Sequence, residues 1–149
     1  MQRRFRAILL CVAGVAALAC GGGAGAKTYA THSEAAAALP LPPYVPGTAH
    51  TFQVVVEEGG GGRWMRFQVP PADGQRMVEG MRVLTFSQAR TGRFTPPSWK
   101  GEWPPELSRR EPTSSRSSLR FYAASPIECL AVEWVTSTAY LYPCGGGSE

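Results

Sequence analysis

Polar and apolar residues alternate most clearly from His50 to Glu57, where Phe52, Val54 and Val56 fall on one side and Thr51, Gln53, Val55 and Glu57 on the other. A period of two is the pattern of a half-buried strand. After Gly59–Gly62 the alternation resumes from Arg63 to Val69, with Met65, Phe67 and Val69 opposed to Trp64, Arg66 and Gln68. Two such runs about a glycine cluster predict a hairpin with one apolar face and one face bearing Trp64 among polar residues. Pro70-Pro71-Ala72-Asp73-Gly74 predicts a turn that closes the second strand. Gly80–Ser87 and Arg120–Ala124 predict a third and a fourth strand.

The last two strands come from Cys129–Val135 and Thr138–Cys144. Folded about Thr136-Ser137, they place Trp134 opposite Ala139, Val132 opposite Leu141 and Cys129 opposite Cys144. Facing residues on paired strands are close enough for a disulfide. Leu130, Val132, Trp134, Ala139 and Leu141 form the face assigned to the core, with Ala131, Glu133, Tyr140 and Tyr142 on the other. Thr-Ser is not a favoured two-residue hairpin pair, so a wider loop in the same register is an alternative. No stretch sustains an apolar repeat of 3.6 residues, so helix is expected to be short and peripheral. The pattern predicts an all-β fold, a small antiparallel sandwich or partly closed barrel of about six strands, with its C-terminal hairpin closed by Cys129–Cys144.

Upstream of His50 the pattern changes. Residues 1–6 are short and positive, and Ala7–Ala19 is an uncharged apolar run ending in small residues, the form of a signal peptide over 1–26. Cleavage is expected at 19/20 or 26/27. Ala17-Leu18-Ala19 precedes Cys20-Gly21-Gly22, which resembles a bacterial lipoprotein junction in which Cys20 is acylated; Ala24-Gly25-Ala26 offers an ordinary site before Lys27. Cys11 is lost with the leader. If Cys20 is lipidated or removed, Cys129 and Cys144 are the remaining even pair. Both routes lead to an oxidising compartment, the cell envelope or the exterior, where a disulfide persists. Residues 27–49, with Ala35–Ala38 and Pro40, Pro42 and Pro43, predict an Ala/Pro-rich flexible tether ahead of a β domain over 50–149.

Charge narrows the partners. The chain of 149 residues carries 15 Lys and Arg against 11 Asp and Glu, a net charge of +4. Three of the positives, Arg3, Arg4 and Arg6, lie in the leader, which leaves 12 basic against 11 acidic residues. That balance does not support nucleic-acid binding, and leaves the membrane to a lipid at Cys20. Positive charge concentrates between Arg63 and Arg120, with eleven Lys or Arg against five Asp or Glu; this asymmetry marks either a face for an acidic partner or solvated strand and loop surface.

Much of it lies in a long connection over residues 88–118, which contains five prolines and six Lys or Arg. Connections of this length without regular structure are uncommon in compact domains. Phe94, Trp99, Lys100 and Trp103 cluster in it. Aromatic side chains supply contact area at low entropic cost, and prolines limit the ordering penalty on binding. These four residues are therefore the candidate ligand-binding set, for a protein or for a glycan on whose rings tryptophan stacks. The alternative is that Trp99 and Trp103 cap an open end of the sheet. Thr91-Gly92-Arg93-Phe94 followed by Ser98-Trp99-Lys100-Gly101 loosely resembles motifs of the small β-barrel inhibitors of C-type lysozyme, which are periplasmic lipoproteins. Thr91 stands where that family has Ser and Phe94 sits one place early, so the family is not assigned. The resemblance would single out Lys100.

Nothing in the chain spells out catalysis. His32 and His50 are the two histidines, and no partners are positioned for either by spacing. Metal-ligand spacing is absent, no cofactor motif occurs, and Gly59–Gly62 lacks the Lys and Ser/Thr of a phosphate loop. The expectation is a non-enzymatic, exported, lipid-anchored β domain that binds a protein or glycan. Two alternatives stand beside it: a secreted inhibitor or effector that inserts 94–103 into a target enzyme, and a small glycan hydrolase using a carboxylate pair drawn from Glu57, Glu58 and Glu133.

Overall fold

A computed structural model of the chain describes residues 26–57, 62–89 and 118–144. The strands are β1 (Lys27–Thr31), β2 (His50–Glu57), β3 (Gly62–Gln68), β4 (Val83–Leu84), β5 (Leu119–Ala123), β6 (Glu128–Glu133) and β7 (Thr138–Pro143). They form one antiparallel sheet in the order β1-β2-β3-β7-β6-β5-β4. Three short helices accompany it: α1 (His32–Ala38), α2 (Pro71–Val78) and α3 (Phe86–Ala89).

The mostly antiparallel β architecture is thus as the alternation predicts. The seven strands make one open sheet, with β1 and β4 at its edges. Its first face carries Phe52, Val54, Met65, Phe67, Leu130, Val132, Ala139 and Leu141, and Phe52 stacks on Phe67 at 5.4 Å. Against this face pack Ala35 of α1, Val45 and Ala49 of the proline-rich segment, and Met77 of α2. Helices and an irregular segment therefore cover the face for which a second sheet layer is expected.

The stretch read as a tether is part of this cover. Residues 27–49 supply the edge strand β1, whose Tyr29 pairs with Phe52, and a helix whose Ala35 is fully buried. Thr31 starts α1 with its hydroxyl, which accepts from the Glu34 N–H at 3.2 Å, while the Glu34 carboxylate accepts from the Ala30 N–H at 2.8 Å. This is close to a reciprocal N-terminal cap, and it occupies an N–H of the edge strand. Thr48 donates to Asp73 at 2.6 Å and ties the segment to α2.

Two other elements differ from the pattern's prediction. Pro70–Gly74 is not a simple turn, because Pro71 stands in the first turn of α2, where a missing N–H costs nothing. The third strand shrinks to Val83–Leu84 and gives way to α3. Thr85 and Gln88 cap α3 reciprocally: the Gln88 N–H donates to Thr85 Oγ1 at 3.3 Å and the Thr85 N–H donates to Gln88 Oε1 at 2.9 Å.

The C-terminal hairpin keeps its faces and changes its register. Val132 lies opposite Ala139, Leu130 opposite Leu141 and Cys129 opposite Tyr142, two residues away from the expected pairing. A four-residue loop, 134–137, replaces the two-residue turn, and Ser137 takes φ 53° within it. An even slip returns every side chain to the same face. The cysteines become a diagonal rather than a facing pair, yet their Cα atoms are 5.6 Å apart and the Cys129–Cys144 disulfide is formed. Trp134 leaves the strand for the loop, half-buried against the first-face core and beside Gly74 of α2.

Candidate functional site

The second face of the sheet is the less expected one. Trp64, read as lying among polar residues, is completely buried, as are Ala131 and Tyr142. With Val55, Leu84, Ala89, Leu119, Cys129, Tyr140 and Cys144 they form a second cluster. Trp64 and Tyr142 stack at 6.3 Å with 20° between their planes. The Tyr142 hydroxyl donates to the Ala89 carbonyl, and burial pushes its ionisation up from the ordinary tyrosine value. The polar positions of the alternation, Gln53 and Arg66, remain half-exposed toward one side, where the Arg66 guanidinium donates to Gln53 Oε1 at 3.3 Å.

Phe94, Trp99, Lys100 and Trp103 lie outside the described residues, as do Cys20 and the leader. The structure describes where their connection is rooted. It departs from α3 at Ala89 and re-enters the sheet at Leu119, and both residues are buried in the second-face cluster. The disulfide belongs to the same cluster.

On the first face, the Arg63 guanidinium reaches Glu128 at 3.1 and 3.3 Å and donates to the Pro40 carbonyl at 2.8 Å. The half-buried Tyr44 stands near this pair. Burial, reinforced by the Glu128 charge and opposed by Arg63, raises its ionisation above the ordinary range. Arg63 and Glu128 join β3 to β6 across β7 and hold the proline-rich segment on the sheet end, which is a packing task.

The other candidate chemistry is dispersed. His50 Nδ1 lies 2.9 Å from Thr51 Oγ1, and the His32 ring meets Phe52 edge-on at 6.4 Å. Glu133 accepts from the Val135 N–H at 3.2 Å within the hairpin loop. Glu57 pairs with Gly62 at one end of the sheet, whereas Glu133 pairs with Thr138, and Thr138 with Gln68, at the other. Six residues of extended chain separate Gly62 from Gln68, about 20 Å at 3.3 Å per residue. The backbone positions of Glu57 and Glu133 therefore stand at opposite ends of β3. Among the described residues no group of three His, Cys, Asp or Glu could hold a metal ion, and no helix is long and apolar enough to cross a membrane.

A small groove opens where the second face meets the β4 edge. Arg82, Leu84, Gln88, Ala123, Ser125, Pro126, Cys129 and Cys144 line it, around about 60 Å³ of space. No spacing in the sequence announces it, because its polar residues come from three separate segments. Comparison with known proteins adds no assignment: no family model, curated protein or solved structure matches the chain.

Proposed function

We propose that the chain is an exported, non-enzymatic β domain, anchored through Cys20, that binds a protein or glycan through Phe94, Trp99, Lys100 and Trp103. The observation that supports this reading is the placement of the connection's two roots. Ala89 and Leu119 are both buried on one sheet face, beside a disulfide-closed hairpin. A segment rooted on a rigid scaffold can present contact residues without the scaffold itself rearranging. Its aromatic residues are of the kind that dominate binding energies, and Lys100 between the tryptophans adds a charge for orientation.

One bacterial expression experiment with three chains tests both parts. Wild type should take up a metabolic acyl label and Cys20→Ser should not; undiminished label in the variant rules out the anchor. Trp99→Ala combined with Trp103→Ala should weaken capture of envelope glycan or protein by about 100-fold or more, on the scale of two hot-spot side chains. Its melting temperature should stay within about 2 °C of wild type. A large fall in melting temperature would instead assign the tryptophans to capping the sheet.

A further inference from the structure

The groove at the β4 edge has a consistent polarity. Ser125 Oγ accepts from the Glu128 N–H at 3.0 Å and from the Ile127 N–H at 3.3 Å, so what it has left to offer is its hydroxyl hydrogen. Gln88 Oε1 accepts from the Thr85 N–H at 2.9 Å and from Thr85 Oγ1 at 3.2 Å. Because a backbone N–H can only donate, this contact fixes the amide orientation and leaves the Gln88 NH₂ group without a partner among the described residues. The Arg82 side chain is exposed and makes no hydrogen bond or ion pair among the described residues; a guanidinium has donors only. Three groups from three segments thus bring donors to one groove, and among the described residues none that lines it is acidic. The nearest carboxylate in sequence, Glu128, is engaged by Arg63 on the opposite face. The rest of the lining is apolar: Leu84, Ala123, Pro126 and the Cys129–Cys144 disulfide.

We infer that this groove binds a carboxylate carried on a short apolar stem, with Arg82, Gln88 and Ser125 donating to its oxygens and Leu84, Ala123 and the disulfide receiving the stem. A planar guanidinium fork matches a carboxylate. The space accommodates on the order of four water-sized groups, which suits a small acid or the last residue of a peptide and excludes a larger head. The inference rests on Arg82, Gln88 and Ser125 alone and does not depend on the reading of Phe94–Trp103.

The test is an amide-shift titration of the purified mature chain with propionate, N-acetyl-alanyl-alanine and the neutral isostere propionamide. Both carboxylates should shift the amides of Ala123, Ser125, Cys129 and Cys144, and propionamide should not. Arg82→Ala should raise the dissociation constant at least tenfold; the residue is exposed, so the fold is retained. Gln88→Glu keeps an acceptor for Thr85 while facing the ligand with a negative charge, and should weaken binding to a similar degree. A peptide bound at least tenfold more tightly than propionate identifies a peptide C-terminus as the source of the carboxylate; equal affinities identify free acids. The inference is overturned if neither carboxylate shifts these amides, if propionamide binds equally well, or if both variants bind like wild type.

Discussion

Gly62 shows how much a single position carries at the start of β3. Its φ of +102° lies where side chains are strained, and a Cβ there would meet Pro143 at 2.7–2.8 Å. Gly62→Ala combines a backbone penalty of about 1–2 kcal/mol with an overpacking cost of about 1–3 kcal/mol. It should lower the urea-unfolding free energy by roughly 2–5 kcal/mol; a variant as stable as wild type would mean that β7 yields easily at Pro143. In the sequence Gly62 is merely the last of four glycines in an expected turn, and nothing marks it from its neighbours. Trp64 is a similar case. Alternation assigns it to the correct face, but only the neighbouring strands show that this face is buried, because Val55, Ala131, Tyr140 and Tyr142 reach it from elsewhere in the chain.

At the scale of elements, the C-terminal hairpin was legible in its strands and faces and illegible in its register. Apolar patterning has period two, so it cannot separate pairings that differ by two residues. The loop decides between them, and 134–137 needs four residues because Trp134 packs beside α2 instead of facing Ala139. The disulfide tolerates either register. It closes a loop of fifteen residues, for which the chain-entropy estimate is about 3 kcal/mol. Cys129→Ser with Cys144→Ser should therefore lower stability by about 3 kcal/mol, read as a shifted urea midpoint. An unchanged midpoint would show that the hairpin is held by packing alone. The short helices were the least visible elements. Two turns are too few to display a 3.6-residue period, and α3 reveals itself only through the Thr85–Gln88 cap.

At the scale of the whole molecule, the largest revision concerns residues 27–49. Composition makes them a spacer, whereas Tyr29, Ala35, Leu39, Leu41, Val45 and Ala49 cover Phe52, Met65 and Phe67. Burying a large apolar side chain contributes about 1.5–3 kcal/mol, so several such contacts rival a net stability of about 5–15 kcal/mol. A chain beginning at His50 should lose cooperative unfolding and dispersed amide resonances; a well-folded 50–149 fragment would restore the spacer reading. The groove of Arg82, Gln88 and Ser125 likewise exists only once β4, α3 and the β5–β6 turn meet. What the sequence determined by itself was local and periodic: the positions of β2, β3, β5, β6 and β7, the sidedness of β2, β3 and the C-terminal hairpin, and the pairing of the last two cysteines. Tertiary structure decided which faces are buried, the hairpin register, the role of the proline-rich segment and the convergence of donors beside the disulfide. Those depend on contacts between residues far apart in the chain, and no local period encodes them.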